Sequence, residues 1–139
     1  MSRSYKELEI AAEVEKLPEV LSFIEQQLEE AGCPLKTQMQ ISIAAEEIFV
    51  NIAGYAYAPG TGTAVIRMEC RENPAAAVIS FLDSGIPFDP LAKEDPDVSL
   101  SAEEREIGGL GIFMAKKTMD DLHYEYRNGQ NILTVSKKF

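Results

Sequence analysis

Residues 35–58 constrain the fold of this chain more than any other segment, because they are long, mostly apolar and patterned as a helix. Ile41 and Ile48 recur at helical spacing and predict a buried face. Glu47 and Asn51 are four residues apart, so they project from one face, one turn above the other. Two interpretations stay open. The pair lies on the solvated edge of an amphipathic helix, or it serves a hard cation such as Mg²⁺, with the carboxylate as a general base.

The rest of the chain carries strand and helix patterns on either side of this segment. Five segments are patterned as strands, namely 5–11, 63–70, 76–82, 121–127 and 131–139. Asn128-Gly129 between the last two predicts a tight hairpin. Residues 17–31 predict a first helix that stops at Gly32, and residues 112–119 predict a third. Mostly antiparallel strands with helices on one face predict an α+β fold, a two-layer sandwich.

Length, charge and apolar content limit the class of protein. A chain of 139 residues predicts a single domain over residues 1–139. The net charge of −10 argues against a direct nucleic-acid partner, since phosphates repel an acidic surface. No apolar run approaches the roughly 20 residues that span a membrane, so no membrane association and a cytoplasmic location are expected. Cys33 and Cys70 carry no partner motif and are expected to be reduced thiols.

A carboxylate follows the third predicted strand directly. Asp83 stands at the strand end, and Gly85 follows two residues later. A sheet holds such an acid in place, and a glycine lets a ligand approach the backbone. The alternative is that Asp83 is an ordinary turn residue.

A long acidic segment and a glycine cluster come next. Residues 86–107 show little periodicity, and a loop of this length is either a functional lid or a surface excursion. The glycines after it, Gly108, Gly109 and Gly111, open a predicted helix. Free backbone N–H groups at a helix start suit a phosphate, although glycines also serve tight packing.

The order of these signals resembles a known family. An E-x-x-x-N helix (Glu47, Asn51), a D-x-G turn (Asp83, Gly85) and a lid ending in G-G-L-G resemble the ATP-binding fold of gyrase, heat-shock chaperones, histidine kinases and MutL. The stretch A-A-E-E-I-F-V-N and the ending L-T-V-S-K-K-F look like the anti-sigma factor serine-protein kinases. The resemblance covers residues 5–139 and implies the Bergerat type of sandwich, with a mixed, mostly antiparallel sheet.

The resemblance implies a role for each matching residue around ATP and Mg²⁺. Asn51 would bind the Mg²⁺ that bridges the phosphates, and Glu47 would take the proton of a substrate serine. Asp83 would accept a hydrogen bond from the adenine amino group, and Gly85 would leave room for the ring. Thr134 would approach the adenine from the last strand. Gly108, Gly109 and Gly111 would offer their N–H groups to the phosphates, under the lid.

The resemblance also implies partners and leaves the activity open. The substrate would be an anti-sigma factor antagonist, a sigma factor would be sequestered, and the kinase would be a homodimer. Ile107 stands where these kinases carry an Arg that meets the γ-phosphate, and Arg105 lies two residues earlier. One alternative is therefore a nucleotide-responsive module that sequesters a partner without phosphorylating it. Another is a detached histidine-kinase catalytic domain, although His123 lies in a strand, where no phospho-acceptor is expected.

Overall fold

The computed structural model describes residues 5–57, 60–89 and 115–139. In chain order its elements are β1 (Lys6–Ala11), a 3₁₀ turn (Val14–Lys16), α1 (Leu17–Glu30), α2 (Leu35–Asn51), a π-helical turn (Ile52–Ala56), β2 (Thr63–Arg71), β3 (Ala76–Asp83), β4 (Asp121–Arg127) and β5 (Gln130–Lys138). Residues 115–118, within the predicted third helix, are also helical. Among the described helices, none is both long and apolar enough to cross a membrane.

The five strands form one sheet in the order β1-β2-β3-β5-β4. Each pair of neighbouring strands is antiparallel, so the predicted α+β fold with a mostly antiparallel sheet is confirmed. β5 pairs with β3 across a long stretch of sequence, and Asp83 lies directly opposite Asn131. The strand order therefore brings the end of β3 beside the start of β5, although these two strand ends are far apart in the sequence.

One face of the sheet packs against α1 and α2 and forms the core. Successive side chains of a strand point to opposite faces, so every second residue of each strand faces the helices. The largest fully buried side chains come from both layers and include Ile24 of α1, Phe49 of α2, and Ile66 and Phe81 of the sheet. Among the described residues, α1 and α2 thus cover the same face of the sheet, as the apolar patterns predict.

The first helix ends in a hydrogen-bonded glycine cap. Gly32 has a φ of +76°, and its N–H donates to the carbonyl of Glu29, while the N–H of Cys33 donates to that of Leu28. These two bonds form the Schellman motif, which places glycine in a left-handed conformation after the last helical turn. The predicted stop of α1 at Gly32 is confirmed, and it turns the chain toward α2.

The long second helix changes its winding before the predicted end. Regular α-helix stops at Asn51, and residues Ile52–Ala56 form a π-helical turn. Such wide turns occur within helices at functional sites, because they redirect the side chains and carbonyls around them. The change of winding falls directly after Asn51, the polar residue that sequence reasoning singles out.

Both cysteines are free thiols, as predicted. Cys33 is buried and Cys70 is half-buried near the end of α1, where its Sγ lies 3.9 Å from the carbonyl oxygen of Gln27. Burial raises the pKa of both thiols. The protonated thiol is the unreactive form, so these side chains serve packing.

Replacing a core side chain of α2 will test this packing. We expect Phe49→Ala to lower the free energy of unfolding by about 3–5 kcal/mol, because Phe49 is 0% exposed and its removal leaves a cavity. The matched control is Ile43→Ala on the same helix, where Ile43 is 51% exposed and the change should stay within about 0.5 kcal/mol. Urea unfolding followed by circular dichroism measures both. Equal losses in the two variants would contradict the described packing of α2.

Candidate functional site

A pocket lies between the end of α2 and the helix-facing side of the sheet. Its apolar wall comes from both layers, with Ile48 and Ile52 on the helix side and Phe81 and Leu133 on the sheet side. Its polar side chains are Asn51, Asp83, Asn131 and the phenol of Tyr124. An apolar slot with a few convergent polar groups is the usual form of a small-molecule site.

Two exposed aromatic side chains meet at the rim of the pocket. Tyr55 and Phe88 stack with ring centroids 6.4 Å apart and an interplanar angle of 29°. Ile86 beside them is 59% exposed, and Tyr55 is 52% exposed. Large apolar groups left in water at a pocket rim provide a flat surface for a planar ligand to stack on.

Glu47 and Asn51 share one face of α2, as their spacing predicts. The Asn51 side-chain Nδ2 donates to the Glu47 carboxylate across 3.4 Å. Asn51 lines the pocket. Glu47 lies one turn earlier and is half-buried, and it is not among the described residues that line the pocket.

The orientation of the Asn51 amide fits a Mg²⁺ ligand. Because Nδ2 is directed at Glu47, the acceptor Oδ1 is the atom that Asn51 can offer to a cation, and amide oxygens are ligands that Mg²⁺ accepts. Over residues 5–57, 60–89 and 115–139, no group of three or more His, Cys, Asp and Glu side chains is placed to hold a metal.

Asp83 ends β3 as a buried carboxylate. It is 5% exposed and lines the pocket. Its Oδ1 accepts two hydrogen bonds of 2.9 Å, one from the backbone N–H of Gly85 and one from the Nδ2 of Asn131. A buried carboxylate held by two donors has a fixed orientation, as a recognition group requires.

Asn131 is the most connected of the pocket residues that sequence reasoning missed, which also include Tyr55, Phe88 and Tyr124. Its Nδ2 also donates to the carbonyl of Ile86 across 2.8 Å. Its Oδ1 accepts from the backbone N–H of Phe88 at 3.1 Å and from the hydroxyl of Tyr124. Asn131 is 6% exposed, and it alternates with the buried apolar residues Leu133 and Val135 along β5. A polar residue in the inward-facing series of a strand is unusual, and that was the signal available in the sequence.

The phenol of Tyr124 keeps its proton and donates it to this network. Burial raises its pKa above the ordinary value, a backbone hydrogen bond from Phe88 opposes that rise in part, and the nearby charges of Asp89 and Asp83 add to it. A protonated phenol is a hydrogen-bond donor, so it fixes the Asn131 oxygen as the acceptor.

Gly85 is required where the turn after β3 meets the π-helical turn. A Cβ built there would meet the backbone oxygen of Ala56 at 2.1 Å, and the N–H of Ile86 donates to that oxygen across 2.9 Å. The glycine therefore lets the turn after β3 approach the π-helical turn, and its predicted role beside a ligand ring stays a prediction. Tyr57 reinforces the junction, since its hydroxyl donates to the carbonyl of Thr63 and accepts from the N–H of Ser84.

Thr134 is not brought into the pocket. Leu133 lines the pocket, and the next side chain of a strand points to the opposite face of the sheet. Thr134 shares a hydrogen bond of 2.9 Å with Ser80, which precedes the lining residue Phe81 on β3. The predicted approach of Thr134 to an adenine is corrected, because the register of β5 presents Asn131 and Leu133 instead.

The glycine turn and most of the predicted lid lie outside the residues that the structure describes. They include residues 90–107, with Arg105 among them, and Gly108, Gly109 and Gly111. Of the predicted site residues, the structure brings Asn51 and Asp83 to one pocket, with Glu47 and Gly85 directly beside it.

Comparison with known proteins identifies the kind of domain that carries this pocket. The family model described as "Histidine kinase-like ATPase domain" matches residues 10–137. The serine/threonine-protein kinase BtrW of Bordetella bronchiseptica is 27% identical over 101 residues, which cover 73% of this chain and 70% of that protein.

Two solved structures of histidine kinases are similar to this chain over most of its length. The histidine kinase domain of the blue-light activated kinase of Erythrobacter litoralis EL346 matches with a TM-score of 0.53 at 14% identity, over 89% of this chain and 59% of that one. The Acinetobacter baumannii histidine kinase AdeS matches with a TM-score of 0.45 at 11% identity, over 99% and 68%. The first of these likenesses supports the fold assignment alone.

Replacing Gly85 will test the close approach of the two turns. We expect Gly85→Ala to lower the free energy of unfolding by about 1–3 kcal/mol, because the new methyl group overlaps the backbone of Ala56. The matched control is Gly54→Ala in the π-helical turn, where a Cβ meets nothing within 4 Å. That change should be neutral or stabilise by about 0.4–1 kcal/mol. Thermal unfolding measures both, and an unchanged Gly85→Ala variant would contradict the junction.

Proposed function

Because the chain belongs to the histidine kinase-like ATPase domain family, we propose that it binds Mg-ATP and transfers the terminal phosphoryl group to a serine of a partner protein. The observation that carries the proposal is one pocket lined by Asn51 and Asp83, with Glu47 one turn from Asn51. The similarity to a serine/threonine-protein kinase favours a protein hydroxyl as the acceptor.

The adenine would occupy the apolar end of the pocket. The slot between Ile52 and Leu133 suits a planar ring, and the stacked pair of Tyr55 and Phe88 extends its apolar surface. Asp83 would accept a hydrogen bond from the exocyclic amino group, since a buried carboxylate offers acceptors only.

The phosphates would lie toward Asn51 at the end of α2. Mg²⁺, when bound, would neutralise phosphate charge, and Asn51 Oδ1 would be its protein ligand. Gly108, Gly109 and Gly111 are proposed to donate backbone N–H groups to the phosphates, with Arg105 nearby. Each of these groups stabilises negative charge, which is the main requirement of phosphoryl transfer.

Glu47 is proposed as the general base of the transfer. Its carboxylate would take the proton of the serine hydroxyl as that oxygen bonds to the terminal phosphorus. The bond to the bridging oxygen then breaks, and ADP leaves. The 3.4 Å hydrogen bond from Asn51 Nδ2 orients the Glu47 carboxylate beside the proposed metal ligand.

The proposed partners follow from the resemblance to anti-sigma factor kinases. The substrate would be an anti-sigma factor antagonist, and a sigma factor or similar regulator would be sequestered in its absence. A homodimer is part of the same proposal. The net charge of −10 favours partners with basic surfaces.

A second candidate function is nucleotide-dependent sequestration without phosphorylation. The observation that favours it is Ile107 directly before Gly108, where an arginine would neutralise the transition-state charge. A missing cation at that place slows transfer but leaves the binding of the ground-state nucleotide largely intact.

Nucleotide binding is tested by removing the proposed metal ligand. We expect Asn51→Ala to weaken Mg-ATP binding by at least about tenfold, because a contact to a charged group contributes about 1.5–3 kcal/mol. The matched control is Glu46→Gln on the neighbouring, exposed face of α2, which should bind as the wild type does. Isothermal titration calorimetry measures both. No binding by the wild type at millimolar Mg-ATP would refute the proposed function.

Catalysis is tested separately at Glu47. We expect Glu47→Gln to lower the rate of phosphoserine formation by about 10²–10⁴-fold, since general base catalysis is lost, while Mg-ATP affinity changes little. The assay combines the protein, Mg-ATP and purified candidate antagonist proteins, and mass spectrometry locates the phosphoserine. ATP binding by the wild type, with no phosphoserine on any candidate but with nucleotide-dependent capture of a partner, would favour sequestration instead.

A further inference from the structure

The Asn131 amide can take only one orientation in its surroundings. Its Oδ1 accepts from the Phe88 N–H and from the Tyr124 hydroxyl, and its Nδ2 donates to Asp83 Oδ1 and to the Ile86 carbonyl. Turning the amide over would set its NH₂ group against the Phe88 N–H and its oxygen against the Asp83 carboxylate. Both contacts would lose a hydrogen bond and become repulsive.

This orientation determines which Asp83 oxygen a ligand meets. Gly85 N–H and Asn131 Nδ2 both bond to Oδ1 of Asp83. Among the described residues, Oδ2 receives no such bond, and Asp83 lines the pocket. A ligand therefore meets a buried oxygen that accepts a hydrogen bond and cannot donate one.

We infer that Asn131, oriented by Tyr124, makes the pocket selective for purine nucleotides with an amino group at position 6 over those with a carbonyl there. The inference rests on the proposed nucleotide site and names the positioning residues behind its base selectivity. A 6-amino group donates to Oδ2, whereas a 6-oxo group directs lone pairs at the carboxylate in a dry environment. A site built to bond one polar group rejects the analogue that lacks it.

ATP and ITP separate this selectivity from every other contact, because they differ at position 6 of the base and share the ribose and phosphates. Calorimetry with Mg²⁺ gives both dissociation constants, and their ratio is the readout. We expect the wild type to bind ATP at least about tenfold more tightly than ITP. A purely structural role of Asn131 would change both affinities together and leave the ratio constant.

Asn131→Asp is the decisive variant, because it preserves the shape and removes the donor. Two carboxylates side by side share a proton, so the pair becomes a weaker acceptor and gains the ability to donate. We expect ATP affinity to fall by at least about tenfold and the ATP-to-ITP ratio to approach one.

Tyr124→Phe is the second variant, and Thr134→Val is the control. Tyr124→Phe removes one donor to Asn131 Oδ1 and should lower the ratio by a smaller factor, about threefold, so it remains informative if Asn131→Asp does not fold. Thr134→Val changes the opposite face of β5 and should leave the ratio unchanged. Circular dichroism establishes that each variant is folded.

The outcomes separate the inference from the proposed function. Equal binding of ATP and ITP by the wild type would overturn the inference and leave nucleotide binding standing. An unchanged ratio in folded Asn131→Asp and Tyr124→Phe would also overturn it. Failure of the wild type to bind either nucleotide would refute the proposed function, and the inference with it.

Discussion

The hydrogen bond between Asn131 and Asp83 connects the parts of the structure that form the pocket. It joins the start of β5 to the end of β3 at directly opposed positions of the sheet. Through its other bonds, the same amide holds the loop at Ile86 and Phe88 and the phenol of Tyr124 on β4. A buried polar group of this kind stabilises the fold only when all its hydrogen-bond partners are present. It therefore favours the single arrangement of β3, β4, β5 and the loop after β3 in which they are.

The two ends of the pocket rest on different kinds of structure. The Asp83 end belongs to the sheet, where antiparallel pairing and buried hydrogen bonds restrict movement. The Asn51 end belongs to the last turn of α2, where regular winding gives way to the π-helical turn. A rigid carboxylate beside an apolar slot, with an amide oxygen at the end of α2 that a cation could use, suits a ligand with a planar ring and a cation-binding group.

Most of the fold was predictable from local sequence. Helical periodicity, the stop at Gly32 and the Asn128-Gly129 turn depend on neighbouring residues, and each appears as expected. The spacing of Glu47 and Asn51 likewise predicts a shared helix face, because a helix turns about once in four residues.

The remainder of the site depends on the order and register of the strands, and these cannot be read from local sequence patterns. Asn131 becomes a partner of Asp83 only because β5 lies beside β3. The predicted approach of Thr134 to an adenine fails for the same reason, because the register of β5 directs its side chain to Ser80 on the face opposite the pocket. The close approach of Gly85 to the backbone of Ala56 likewise depends on tertiary packing that local sequence does not show.

The contact between the Ile86 N–H and the Ala56 carbonyl has a consequence for how the pocket can change. It joins the helix wall and the sheet wall through main-chain atoms alone. This bond does not involve the exposed side chain of Tyr55, which lines the pocket in the same turn. A substitution at Tyr55 can therefore change the chemical character of the lining while the main-chain link between the two walls is kept, provided that Gly85 and Ala56 stay small.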